Sequence, residues 1–167
     1  EADDVIYVSV RMRSQNGFQA GAIVSKGSSA LGTNFRMGGF SNNSPTGGYL
    51  NFVSVMATED DTNVNFDDIS PGITINNYTQ TGINPINITL DEGETYIVSV
   101  SVNSGGDTND LIGTLVNSDK PIVVNSGSAT GSFAAGNGRD YGVDQIVDAS
   151  KVGTEYIFVR GDGNDEW

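Results

Sequence analysis

"PINITLDEGETYIVSVSV", residues 85–102, alternates apolar and polar side chains on both sides of a short acidic break. Ile86, Ile88 and Leu90 fall on one face, with Asn87 and Thr89 on the other. Beyond the break, Tyr96, Val98, Val100 and Val102 share a face, with Ile97, Ser99 and Ser101 opposite. Successive side chains of an extended chain point to opposite faces, so this period of two reads as two half-buried strands. The "DEGE" between them has the length and polarity of a tight turn, and the pair is expected to form a hairpin.

The same signature recurs at residues 4–12, 18–26, 33–40, 49–57, 62–66, 72–76, 112–116, 121–126 and 155–161, and no segment sustains a 3.6-residue period. The 22 glycines and the Asn, Asp and Ser between these runs supply the turns that short strands need. The expectation is an all-β, antiparallel β-sandwich-like module with little or no helix. In "SDKPIV", Ser118 and Asp119 read as a turn and Lys120 as the lead into a strand starting at Pro121, rather than as a catalytic lysine. Residues 127–153 read as one long loop, the kind that carries function or packs as an Ω feature. Inside it, "NGRDYGVDQIV" (137–147) gathers Arg139, Asp140, Tyr141, Asp144 and Gln145. Arg139 paired with Asp140 or Asp144 would anchor such a loop, with the Tyr141 ring packed beneath.

Composition narrows the chemistry. A chain of 167 residues buries roughly 70% of its unfolded surface, enough for one cored module over residues 1–167. It holds no cysteine and no histidine, which removes disulfides, thiol nucleophiles, Ser-His pairs and Cys/His zinc sites. Eight Lys and Arg against 21 Asp and Glu, net −13, disfavour nucleic acid and anionic membranes as partners. No apolar run reaches the roughly 20 residues of a membrane helix. The start "EADDVIYV" lacks signal-peptide features and "RGDGNDEW" ends in a turn-like segment, so a processed or excised piece of a longer chain is expected.

Carboxylates are therefore the main candidate ligands. Calcium takes six to eight hard oxygens, and Asp and Asn in glycine-rich turns supply them. "DTND" with Asp107, Asn109 and Asp110, and "DGND" with Asp162, Asn164 and Asp165, are the preferred clusters; Glu59, Asp60 and Asp61 form a third. The opposing reading is a set of solvated turns whose Asp and Asn cap backbone amides. Asp140 and Asp144 are the candidate pair for glycoside hydrolysis, which needs two acids facing across a cleft. Tyr49, Tyr78, Tyr141 and Trp167 are candidates for a sugar-stacking platform, while Phe52, Tyr96 and Phe158 are expected in the core. The triplets at Asn42, Asn77 and Asn87 read as accidental.

The blocks "FVSVMATEDDTNVNF", "ITLDEGETYIV", "DLIGTLVNSDKPIVVNSGS", "GRDYGVDQIV" and "GTEYIFVRG" occur in an order and spacing that resemble the IgGFc-binding protein N-terminal domain family. The likeness is to its bacterial branch, in secreted or surface proteins of Bacteroidetes type, and "ATEDDT" and "SDKPI" are its most specific parts. The resemblance implies a β-rich extracellular module associated with adhesion, often exported by the type 9 route, with no catalytic activity. Animal members carry cysteines and a Cys-Asp-His step where this chain has Arg139, Asp140 and Tyr141, so immunoglobulin binding is not carried over. The combined expectation is a non-enzymatic adhesion, binding or spacer module on a bacterial surface, meeting a glycan, a protein or its neighbouring domains. A carbohydrate-binding accessory domain of a hydrolase and a subunit assembling through strand edges are the alternatives.

Overall fold

The computed structural model describes residues 6–15, 19–39, 49–70, 73, 75, 85–102, 111–131 and 140–157. The strands are β1 (Ser9–Arg13), β2 (Ala20–Val24), β3 (Gly32–Arg36), β4 (Tyr49–Ala57), β5 (Thr62–Asp67), β6 (Ile86–Leu90), β7 (Thr95–Val102), β8 (Leu115–Gly131) and β9 (Asp140–Ile146). The helical content among the described residues is two 3₁₀ turns, Gly27–Ala30 and Ala149–Lys151. All strand pairings among the described residues are antiparallel. The fold is the expected antiparallel, sandwich-like one, made from a curled sheet.

β8 is its spine. Leu115–Ser118 pair with β5, and Ile122 to Thr130 pair with β4. On the opposite flank β3 accompanies the first part and β9 the second. β6 adds to β5, and β7 adds to β4. The result is two four-stranded halves, β6-β5-β8-β3 and β7-β4-β8-β9, joined along one crease. Among the described residues three chain segments cross that crease, residues 58–61, 91–94 and 118–121.

The crease overturns the hairpin expectation. The Asp91–Glu94 turn does form, with the Glu94 amide donating to Asp91 O at 2.9 Å. It carries the chain from one half to the other instead of folding β7 back on β6. The Gly93 amide donates to Ala57 O at 2.9 Å, and the Ala57 amide to Glu94 O at 3.1 Å, so the turn is bonded to β4. Gly93 reaches this geometry at φ +80°, where a side chain would be strained.

Two further expectations are corrected. "SDKP" does not separate two strands, because β8 runs through it. Its irregularity is absorbed as a register shift against β3 between Gly32 and Asn34. Pro121, which has no N–H to give a ladder, lies in this irregular stretch inside the strand. The long loop expected over 127–153 is instead the end of β8, then β9 paired with it; residues 132–139 lie outside the described set. Pairing to β8 holds residues 140–146 extended although Asp and Gly have little intrinsic strand preference. Of the strand expected at 72–76, Ile75 bridges to Val100 and most of the rest lies outside the described residues. Residues 155–157 are exposed and form no strand; residues 158–167, Phe158 among them, lie outside the described residues.

Alternation decides what is buried. Val53, Val55 and Ala57 of β4, Val64 and Phe66 of β5, Val98 and Val100 of β7, and Ile122 and Val124 of β8 enter one core with Phe35 and Leu111. Phe66 and Tyr96 meet across the crease, with ring centroids 6.2 Å apart and planes at 46°. Phe52, expected in the core, alternates out to the opposite face and is half-buried.

Phe66 is fully buried at the joint between the halves. Phe66→Ala is expected to lower unfolding free energy by about 3–5 kcal/mol, read as a fall in urea midpoint with an unchanged m-value. A loss below about 1 kcal/mol would show that the two halves do not share a core there.

Candidate binding surface

The crease engages several of the acidic side chains, Asp60, Asp91 and Glu94 among them, in backbone contacts. Asp60 Oδ1 accepts from the Glu92 amide at 3.0 Å, and Asp91 Oδ1 from the Asp61 amide at 3.2 Å. Glu94 turns back to accept from the Asp91 amide at 2.9 Å. Lys120 Nζ donates to Asp60 O, and the Thr58 hydroxyl to Pro121 O at 2.5 Å. Glu59, Asp60 and Asp61 are therefore turn residues, and Asp61 sits at φ 54°. Among the described residues no three carboxylates converge as a metal site. The preferred calcium residues Asp107, Asn109, Asp110, Asp162, Asn164 and Asp165 lie outside the described residues.

The "RDYGVDQ" side chains bind the N-terminal hairpin. Arg139 lies outside the described residues. Asp140 accepts from the Ala20 amide at 2.9 Å, and Asp144 pairs with Lys26 Nζ at 2.7 Å on an exposed surface. Gln145, buried, accepts from the Lys26 amide through Oε1, and its carbonyl accepts from Lys26 Nζ. The close approach needs Gly21, where an added Cβ would stand 2.6 Å from the Tyr141 Cβ. The motif thus docks β2 onto β9. Of the aromatic platform, Tyr141 is half-buried beneath β2, Tyr49 lies on β4, and Tyr78 and Trp167 fall outside the described residues.

Asp148, which sequence reading did not single out, closes the place where β8 passes from β3 to β9. It is 6% exposed. One oxygen accepts from the Thr33 and Asn34 amides at 2.7 and 2.9 Å, and the other from the Ser150 amide and hydroxyl at 2.8 and 2.6 Å. Those strand amides lie at the register shift. Gly32 is required here, since a Cβ would come within 2.3 Å of the aspartate. Burial by itself would raise the carboxyl pKa, but the donors from Ser150, Asn34 and Thr33 together outweigh it and hold it well below the ordinary value of 3.8.

The outward face of β6-β5-β8-β3 carries a set of side chains hydrogen-bonded to one another. Alternation turns Asn87 and Thr89, Asn63 and Asn65, Asn117 and Asp119, and Asn34 to solvent from four neighbouring strands. Register aligns them into rows: Asn87, Asn65, Asn117, Asn34, and beside it Thr89, Asn63, Asp119. In the first row Asn65 Nδ2 donates to Asn87 Oδ1 at 2.7 Å, and Asn34 Nδ2 to Asn117 Oδ1 at 2.8 Å. In the second the Thr89 hydroxyl donates to Asn63 Oδ1 at 2.9 Å, and Asn63 Nδ2 to Asp119 Oδ2 at 2.7 Å. The side-chain amide and then the backbone amide of Asn63 lower the Asp119 carboxyl pKa and keep it ionised. A shallow groove of about 410 Å³ runs over these rows. The sequence signal was present, as asparagine recurs at the polar positions of "TNVNF", "INITL" and "LVNSD". Period alone does not say that these positions are cross-strand neighbours.

The family comparison agrees with the resemblance noted in the sequence. Residues 20–167, starting at β2, match the family model described as IgGFc binding protein, and the chain belongs to that family. No curated protein and no solved structure matches it.

The lowered Asp148 pKa carries a stability prediction. A carboxyl depressed in the folded state stabilises fully above its unfolded pKa, and that contribution fades as pH falls toward the folded value. Asp148→Asn should cost about 3 kcal/mol at pH 7. The gap to the parent should stay level down to about pH 5 and narrow below about pH 4. A gap still undiminished in urea titrations at about pH 3 would reject the ionised-acceptor role.

Proposed function

We propose that this IgGFc-binding family member is a non-enzymatic extracellular binding module of a large secreted or surface-anchored bacterial protein, contributing to adhesion or to the spacing of an adhesive tip. One observation carries the reading: a four-stranded sheet presents a preorganised, solvent-facing row of amides beside a shallow groove. Rigid side chains already held by one another lose little freedom when a ligand arrives, which favours recognition. The carboxylates a hydrolytic reading would use, Asp140 and Asp144, are engaged by β2 and Lys26. The family is one of binding domains, which supports the same assignment.

Calcium enters this reading only through the segments around Asp107 and Asp162. Assembly through strand edges would have to use an edge other than this stretch of β3, whose Thr33 and Asn34 amides are taken by the Asp148 carboxylate.

Immobilised protein should capture ligand from an array of glycans and extracellular proteins. Running the array with millimolar calcium and again with EDTA separates the two routes. Capture in both buffers supports a preorganised protein surface, and capture lost in EDTA assigns recognition to the acidic segments. Silence in both buffers would overturn the binding-module reading.

A further inference from the structure

The amide face has a defect that points to its ligand. The first row is continuous from Asn87 to Asn65 and from Asn117 to Asn34. Asn65 and Asn117 are register partners across β5 and β8, yet no hydrogen bond joins their side chains. With Asn65 Nδ2 committed to Asn87 and Asn117 Oδ1 committed to Asn34, Asn65 Oδ1 and Asn117 Nδ2 are left without a partner among the described residues. An acceptor and a donor therefore stand on adjacent strands in the middle of the groove, whose lining includes both residues.

We infer that this face binds a neutral, hydroxyl-rich chain, a glycan, with a sugar hydroxyl bridging Asn65 Oδ1 and Asn117 Nδ2. The inference rests on the binding-module reading and names the ligand class of that surface. A hydroxyl suits the gap because it donates one hydrogen bond and accepts another, whereas an ammonium only donates and a carboxylate only accepts. Charge argues the same way. The chain carries net −13, yet the two rows hold one carboxylate, Asp119, among amides and a hydroxyl. Neither a polyanion nor a polycation is selected by such a surface. Neighbouring strands lie roughly 4.8 Å apart, about the width of a pyranose ring, so successive sugars of an extended chain can follow the row one per strand. Asp119, fixed by two hydrogen bonds from Asn63 at 2.8 and 2.7 Å, offers an acceptor to a hydroxyl of the same chain. No metal is required, which separates this site from the calcium route.

The test is affinity electrophoresis of the full chain in EDTA, through native gels cast with β-glucan, xylan or galactomannan, and in parallel with hyaluronan or heparin. At least one neutral polysaccharide should retard the protein, and neither polyanion should. Asn117→Asp keeps the side-chain shape but turns the open donor into an acceptor, and it should weaken the interaction at least ten-fold. Asn65→Ala/Asn117→Ala should abolish it, with far-UV circular dichroism and the urea midpoint confirming that each variant is folded. The side-chain amide resonances of Asn65 and Asn117 should move when the parent is titrated with an oligosaccharide of the retarding polymer. Retardation undiminished in N117D overturns the site while leaving the binding module in place. Retardation by polyanions alone, or array capture confined to a protein ligand, does the same. No retardation together with a silent array overturns both.

Discussion

The crease is the constraint from which the other features of the molecule derive. Three chain segments, 58–61, 91–94 and 118–121, cross from one half-sheet to the other at the same level. They are bonded side by side: Asp60 to the Glu92 amide, Asp91 to the Asp61 amide, Asn63 to Asp119, Lys120 to Asp60 O. Breaking a strand exposes backbone donors and acceptors, and leaving those unmet costs about as much as a lost hydrogen bond each. At the crease two turns and the irregular stretch of β8 coincide, so each segment supplies the partners its neighbour lacks. "ATEDDT" and "SDKPI", two of the blocks that carry the family resemblance, are two of these three crossings. Asp60, Asp91 and Glu94 spend carboxylate oxygens on backbone amides there, so part of the acidity of this corner serves the turns.

Folding one sheet along a line has a second consequence. Each half turns its apolar alternate residues into a common core, joined across the fold by Phe66 and Tyr96. The outward faces are then free to differ. On β7-β4-β8-β9 they include Ile97, 59% exposed, with Met56 and Phe52; on β6-β5-β8-β3 two rows of asparagine, threonine and aspartate lie beside a row of Asp67, Leu115 and Arg36. Aspartates also finish the perimeter, Asp148 at the joint between β3 and β9 and Asp140 and Asp144 where β2 docks. The polar face is positioned by the crease, because the Asn63 to Asp119 bond both ends its second row and ties β5 to the bend in β8.

Much of this was legible in the chain. The run 49–57 is a strand with the bounds its alternation predicts, and the buried and exposed positions of 86–90 and 95–100 follow the period of two. The misreadings share one cause. "DEGE" has the same local turn chemistry whether the chain reverses beside itself or steps to the next half, and only the partners of β6 and β7 distinguish the two. "SDKP" looks like a break because its residues favour turns, yet pairing on both flanks carries β8 through it. Residues 140–146 look like loop because Asp and Gly are poor strand formers, and their extended state comes from β8.

Local sequence was enough to establish the fold class, the faces of the clear strands, the exclusion of cysteine and histidine chemistry, and the family. It sufficed because alternation, turn residues and composition are local properties that every β-rich packing must respect. Tertiary pairing settled which strands are neighbours, that three polar stretches stack into one crease, that Asp148 seals a joint between residues more than a hundred positions apart, and that asparagines from four strands fall into line. Register sets those neighbours, and it is fixed by long-range burial and hydrogen bonding, which no short stretch of the chain contains.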